Sequence, residues 1–211
     1  MTNSWRMQGQ PTHPSICPDK LAALLAKPDS QILSNSKRAT VYRIFHGEQS
    51  YIIKCFHLFI FWAFCKSLFR QSRARRYFDN AQQLSLYGIH TPTVYFAAGS
   101  RRFGILSQAF ICTEYLDGED AVDYFHHADL GNTVTQKYAD QIIEILRRFG
   151  RLGINHGDLG IWNFKLCQDK VYVLDLDAMR RGESHDLALF MDRLSHYSKS
   201  WLTFFKLAMH R

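Results

Sequence analysis

One stretch restricts this chain more than any other: His156-Gly157-Asp158-Leu-Gly-Ile-Trp-Asn163, followed by Val173-Leu174-Asp175-Leu176-Asp177. Before it, Tyr138, Ile142, Ile145, Phe149 and Leu152 fall on one helical stripe that stops at Gly153, so the stretch is a loop after a long helix. The apolar run from Val171 to Leu176 predicts a strand that ends in acids. These residue types suit phosphoryl transfer. One carboxylate can accept or orient the proton of an attacking hydroxyl, while an amide and a second carboxylate hold magnesium against nucleotide phosphates. Magnesium takes few hard oxygen ligands from protein and keeps several waters, so one Asn and one or two Asp suffice. Five positions separate Asp158 from Asn163, and twelve separate Asn163 from Asp175. A loop followed by a β-hairpin can bring those three side chains to one point. The same letters also fit a plain turn in which Asp and Asn satisfy backbone groups, so the rest of the chain has to decide.

Residues 1–20 are polar, contain three prolines and show no period, which predicts a loose lead-in extending to about residue 30, with a short helix over Leu21–Leu25. Gln31 to Thr40 is a polar stretch. Val41–Phe45 reads as a strand, His46-Gly-Glu-Gln49 as a hairpin turn, and Tyr51–Phe56 as the returning strand. Lys54 is a charge inside that apolar strand; a lone lysine there is usually a snorkelling surface residue. From Ser72 to Tyr87 apolar residues recur at Ala74, Tyr77, Phe78, Ala81, Leu84 and Tyr87, a helical spacing closed by Gly88 and Pro92. Val94–Ala98 and Phe110–Leu116 read as strands separated by a turn at Gly99-Ser-Arg-Arg102. Beyond Gly118 the pattern turns helical, with Ala121–His127, a capping box at Thr133-x-x-Gln136, and one or two helices over His185–His210. The shift near Asp117-Gly118 predicts the boundary between a strand-rich N-lobe, 31–116, and a helical C-lobe, 117–211.

The order of lysine strand, helix, linker, long helix, loop and acid-ended strand resembles the protein-kinase-like superfamily. That superfamily has a catalytic loop H-x-D-x-x-x-x-N and then a metal-binding Asp. Glu114-Tyr115-Leu116-x-Gly118 resembles the hinge that presents backbone groups to adenine. A narrower resemblance lies in Ile32-Leu-x-Asn35-x-x-Arg38-x-Thr40-Val-Tyr-Arg43 and in Ser72-Arg-Ala-x-Arg76-x-x-x-Asn80-Ala81 with Gly88-Ile-x-Thr91-Pro92. It continues in Leu174-Asp-Leu-Asp-x-Met179-Arg180. These segments are similar to the lipopolysaccharide kinase family, the Kdo kinase, WaaP and InaA-like group, over about Gln31 to Leu189. The resemblance implies a two-lobed α+β fold with an antiparallel-sheet N-lobe and a short helical C-lobe, holding ATP and Mg²⁺ between the lobes. It implies Asp158 as catalytic base, Lys54 at the α/β-phosphates, and Asn35, Lys37 and Arg38 in the nucleotide-covering loop. Glu114 and Leu116 would sit at adenine, and Asn163 and Asp175 at the metal. It further implies that the substrate is a heptose or Kdo sugar of the lipopolysaccharide inner core, an acidic glycolipid. The setting would be peripheral, on the cytoplasmic face of a Gram-negative inner membrane.

The chain departs from the family pattern in several places. Ser34–Ala39 contains no glycine, which leaves Lys37 or Arg38 to help backbone amides neutralise phosphate. No glutamate follows Lys54 on the helix; Asp79 is the sole acid between Glu48 and Glu114, with Gln82 or Gln83 as neutral substitutes. Gly157 replaces the arginine of regulated protein kinases, so no activation-loop phosphate switch is expected. Only 36 residues follow Asp175 and none form A-P-E, which favours a small or glycolipid acceptor over a protein. Asp177 reads equally as a second metal contact or a satisfied strand-end acid. His156 reads as a loop brace, and Trp162 as packing or as a platform for a sugar.

Charge narrows the partners. The net charge is +7, and Gln49–Thr113 alone supplies eight bases against Asp79, equal to the whole of it. Five of those bases lie from Lys66 to Arg76, directly after the apolar run Cys55–Cys65. They form either a solvated helix face or a surface that meets anionic lipid or an anionic substrate. No zinc-finger, RRM or homeodomain pattern accompanies them, so nucleic acid is not an expected partner. The apolar run has 11 residues, short of the ~20 that span a bilayer, and no apolar h-region marks a secretory signal. Five cysteines without C-x-x-C argue for a reducing compartment over a disulfide framework or a zinc site. With 46% apolar and 21% charged residues, the composition excludes a disordered tail or a collagen-like rod. Oligomeric state is not encoded legibly. Two other function classes stay open: a small atypical protein kinase, and a catalytically inactive kinase-like module that binds membrane or a partner through Lys66–Arg76.

Overall fold

The computed structural model describes residues 5–10, 16–27, 29–57, 71–102 and 105–210. The chain divides into two compact units, Met1–Gln82 with Pro92–Tyr115 and Gln83–Thr91 with Leu116–Arg211.

The first unit is built on a six-stranded antiparallel sheet. Its strands are β1 (Trp5–Gly9), β2 (Gln31–Asn35), β3 (Ala39–His46), β4 (Gln49–Phe56), β5 (Val94–Arg102) and β6 (Ile105–Glu114), in the spatial order β1-β5-β6-β4-β3-β2. Alternation explains which face is buried. Tyr51 and Ile53, Phe96 and Ala98, and Phe110 and Cys112 project to one side. There they form a core with Ile16, Ile44 and Leu24, the last on helix α1 (Leu21–Leu25). Phe96 meets Phe110 edge-on at 5.9 Å, and burial of each such ring is worth about 2–3 kcal/mol. Helix α2 (Arg73–Leu86) buries Ala74, Tyr77, Phe78, Ala81 and Leu84, all members of the stripe read from the sequence.

Three expectations for this unit need correction. The lead-in is not wholly loose: Trp5–Gly9 is an edge strand paired with β5, and the Trp5 ring stands edge-on to Phe110 at 5.4 Å. Its residues are half-buried or exposed without alternation, so no period could announce it. Gly99–Arg102 is not a turn, because β5 runs through it to Arg102. Buried Ser100 places its hydroxyl 2.7 Å from that of Ser107 across the strands, which satisfies a polar group that would otherwise favour solvent. The polar stretch at Gln31–Thr40 contains β2, whose five residues are all exposed. Lys66, Arg70 and the run beyond His57 lie outside the described residues.

The second unit is mostly helical: α3 (Ala121–His127), α4 (Thr133–Leu152), α5 (Asp186–Tyr197) and α6 (Lys199–Met209). Helix α4 buries Tyr138, Ile142, Ile145 and Phe149 and ends where Gly153 takes φ 60, a left-handed cap that glycine adopts without strain. Its N-cap is Asn132 rather than Thr133: Asn132 Oδ1 accepts from Val134 N–H at 2.8 Å. Phe125, Phe190 and Phe205 knit α3, α5 and α6 together with centroids 5.2–5.3 Å apart. Short strands complete the unit. β7 (Glu119–Asp120), β9 (Phe164–Cys167) and β10 (Lys170–Val173) form one sheet, and β8 (Ile154–Asn155) pairs with β11 (Arg180–Arg181). β10 stops at Val173 instead of running to Leu176, because Asp175 takes φ 58, incompatible with extended backbone.

Candidate active site

The loop after α4 is fixed from several directions. The β8–β11 pair delivers the chain to His156, which is fully buried. Its backbone N–H donates to Asp186 Oδ2 at 2.7 Å, and its Nε2–H donates to Leu174 O at 2.9 Å. The Phe149 ring stacks on it at 6.4 Å. His156 thus braces the loop, as read from the sequence. Asp186 was not read from the sequence at all. It stands in the first turn of α5, where an acid suits the helix dipole, and nothing in its surroundings marks it. In the fold it is 1% exposed and accepts from both His156 N–H and the Ser184 hydroxyl.

The segments that carry Asp158, Asn163 and Asp175 are joined by hydrogen bonds to backbone groups. Asn163 Nδ2 donates to Asp158 O at 2.5 Å, and Leu174 N–H donates to Asn163 O at 2.8 Å. Asp175 therefore directly follows Leu174, whose N–H is hydrogen-bonded to Asn163 O. Its left-handed backbone, φ 58 and ψ 52, costs about 1–3 kcal/mol in a non-glycine residue. The 3-10 turn Leu176–Ala178 follows at once, with Leu176 and Asp177 buried, so the conformation is imposed from both sides. Asp177 is only 2% exposed.

The Asp158 carboxylate is half exposed and among the described residues has one partner: Arg193 Nη2 donates to its Oδ1 at 2.7 Å. Arg193 Nη1 donates to Leu159 O at 3.0 Å. Its guanidinium also lies 5.2 Å from the centre of the Trp162 ring. The indole folds over Gly160, where any Cβ would overlap the ring, so a side chain there would have to displace Trp162. Arg193, like Asp186, was missed by sequence reasoning, since it sits 35 residues from Asp158 on a surface helix.

In the first unit, Lys54 lies on a central strand, opposite Val41 and Ile111, its Nζ 5.4 Å from the Phe56 ring centre. Asp79 forms an exposed 3.4 Å pair with Arg75. Asn35 Oδ1 accepts from the Thr40 hydroxyl at 2.9 Å. Lys37 and Arg38 are exposed in the turn between β2 and β3. There the Ser36 hydroxyl accepts from the N–H groups of Arg38 and Ala39. This side-chain-closed turn forms where the sequence offers no glycine. The Glu114 carboxylate accepts from Thr93 N–H at 2.7 Å, and Arg43 covers the Tyr115 ring at 3.7 Å. Leu116 is buried at the start of the second unit's main segment.

The oxygen donors present suit magnesium. Asn163 and Asp175 carry an amide oxygen and a carboxylate, and the Leu174 N–H to Asn163 O bond joins the two segments that bear them. Among the described residues no group of three or more His, Cys, Asp or Glu could hold a metal. A sparse hard-oxygen set is what a cation takes when waters and phosphates fill its other positions.

The sequence model of the "Lipopolysaccharide kinase (Kdo/WaaP) family" matches residues 53–197, well over half of the chain. The chain belongs to the lipopolysaccharide kinase family. The matched span contains Lys54, the 156–163 loop, Asp175 and Arg193. Membership makes this chain a kinase, a phosphotransferase that uses ATP. The solved structure of WaaP in complex with acyl carrier protein superposes with a TM-score of 0.64 at 18% identity, covering 98% of this kinase and 89% of that chain, and carries the same fold. The PknI kinase domain of Mycobacterium tuberculosis aligns with a TM-score of 0.43 at 17% identity, over 72% of this kinase and 60% of that domain. No curated protein sequence matches it. Among the described residues no helix is long and apolar enough to cross a membrane.

Proposed function

We propose that this kinase transfers the γ-phosphoryl group of ATP to a hydroxyl of a heptose or Kdo sugar in the lipopolysaccharide inner core. The observation that carries the reading is the linked set Asp158–Asn163–Asp175 inside the span that matches the family. Asp158 Oδ1 is held by Arg193, and Oδ2 accepts no hydrogen bond among the described residues. Oδ2 is therefore the oxygen assigned to take the acceptor hydroxyl's proton. Asn163 and Asp175 are assigned to Mg²⁺, which when bound screens the charge on the transferring phosphate. Lys54 is assigned to the α/β-phosphates. Asn35, Lys37 and Arg38 would cover the nucleotide, and Glu114 and Leu116 would meet adenine through their backbone. In this reading 31–116 is the nucleotide-side lobe, the lead-in 1–30 adding β1 to it, and 117–211 is the catalytic lobe.

The substrate assigned is an acidic glycolipid. The basic segment Lys66–Arg76 is assigned a peripheral contact with anionic lipid on the cytoplasmic face of the inner membrane. The complex of WaaP with acyl carrier protein suggests the same kind of partner for this chain, which co-purification would test.

The function is tested with purified protein, Mg-ATP and dephosphorylated lipopolysaccharide containing heptose and Kdo, with Asp158→Ala alongside. Phosphate on the glycolipid, absent in the variant, is the expected result. Transfer onto a protein would favour a protein kinase. Mg-ATP binding without transfer would remove the proposed acceptor, and no binding would favour an inactive module.

A further inference from the structure

Arg193 is the one cation that the fold sets against the 158–162 loop among the described residues, and it makes three contacts there. Two guanidinium nitrogens donate to different groups, Nη2 to Asp158 Oδ1 at 2.7 Å and Nη1 to Leu159 O at 3.0 Å. The guanidinium also covers the Trp162 ring at 5.2 Å, a contact that favours the planar cation. Arg193 is on the third turn of α5. The first turn of the same helix carries Asp186, which holds His156 N–H. One helix therefore grips both ends of the catalytic-loop segment His156–Asp158.

We propose that Arg193 is the positioning residue of this kinase. Resting on the function proposed above, its fork fixes Asp158 Oδ1 and the Leu159 carbonyl so that Oδ2 alone is presented to the acceptor hydroxyl. In the step it serves, the acceptor O–H proton passes to Asp158 Oδ2 and the acceptor oxygen bonds to the γ-phosphorus. The bond from that phosphorus to the β,γ-bridging oxygen breaks, and ADP carries away the electron pair. A carboxylate that can rotate about χ2 offers either oxygen at many angles. A misplacement of about 1 Å can cost 10²-fold in rate. The two-pronged contact needs a planar, multi-donor cation: a lysine ammonium on a flexible stem cannot reproduce the fork geometry.

Arg193→Gln is expected to lower kcat about 100-fold while leaving Mg-ATP affinity by calorimetry and the thermal midpoint close to wild type. Arg193→Lys, which keeps the charge without the fork, should lose about tenfold in kcat. Because Arg193 acts through Asp158, the double variant Asp158→Asn/Arg193→Gln should be no slower than Asp158→Asn alone. If Arg193→Gln does not fold, Arg193→Lys carries the test. Wild-type kcat in either folded variant, beside an inactive Asp158→Asn, overturns the proposal while leaving the function standing. So do additive losses in the double variant. Full turnover by Asp158→Asn removes the base itself and the function as proposed.

Discussion

The loop at 156–163 and the turn at 35–39 are both assigned to phosphate chemistry, yet they are built oppositely. The first is pinned at His156 by Asp186 and Leu174, at Asp158 by Arg193, and at Asn163 by two further hydrogen bonds. The second is exposed from Asn35 to Arg38, with only Ala39 buried, and is closed by the Ser36 hydroxyl and by Thr40 on Asn35. The difference fits the roles proposed for each. A proton-accepting oxygen is useful only within a few tenths of an ångström of its target. A lysine or arginine that screens phosphate charge acts through a long-range field and tolerates movement. Damage to the pinned loop should therefore cost rate where it loosens Asp158 and stability where it strips the buried His156 N–H, and damage to the exposed turn only a little affinity.

The largest effect is expected at Asp175. Asp175→Asn keeps a residue that tolerates the left-handed backbone and removes only the negative oxygen assigned to magnesium. A loss of at least about 10³-fold in kcat/KM, roughly 4 kcal/mol, is expected, with magnesium-dependent nucleotide binding lost in calorimetry. Retained metal dependence would separate Asp175 from the loop and break the comparison at its centre. Next comes Asp186→Ala, which strips the acceptor from the buried His156 N–H. A destabilisation of about 2–3 kcal/mol is expected, read from urea unfolding, with Asp186→Asn losing less because its amide oxygen still accepts. By contrast Ser36→Ala, at an exposed turn, should stay within about 1 kcal/mol, and Lys37→Ala should weaken ATP binding by no more than about tenfold. Equal losses at Asp186 and Ser36 would show that the two regions are not built differently.

The pinned loop was the more legible of the two in sequence, and the reason is physical. Spacing within a loop is local, so His156, Asp158 and Asn163 announce themselves, and the apolar stripe of α4 ending at Gly153 places them. What pins the loop is not local. Asp186 and Arg193 come from a helix about thirty residues downstream, and their letters are ordinary for a helix start and a helix surface. Edge strands were illegible for another reason. β1 and β2 are half-buried or exposed throughout, and without one buried face there is no alternation to read. The polar letters at Gly99–Arg102 imitate a turn because a buried Ser100 satisfied by an exposed serine on the next strand has no signature in either strand alone.

The smallest effect at neutral pH concerns the sheet core, and it sharpens the comparison from the other side. The first unit is held by apolar burial, and two thiols report that environment: burial pushes Cys112 up to about 12 and Cys55 up to about 11, from an ordinary 9.0. An acid with a raised value in the fold stays protonated there after the unfolded chain has ionised. Its stabilising contribution is thus complete below about pH 9 and is lost as pH climbs through 11 to 12. Burial also raises Tyr95 in this unit and Tyr138 in the other, so the alkaline fall in stability is a sum. Cys55→Ala/Cys112→Ala isolates the thiol part. The double variant should be less stable at neutral pH, because a cavity opens beside Phe96 and Phe110. Its stability should fall less steeply than wild type between pH 9 and 11. Parallel slopes would mean that water reaches those thiols in the folded sheet, and that the first unit is less tightly closed than its side-chain packing implies.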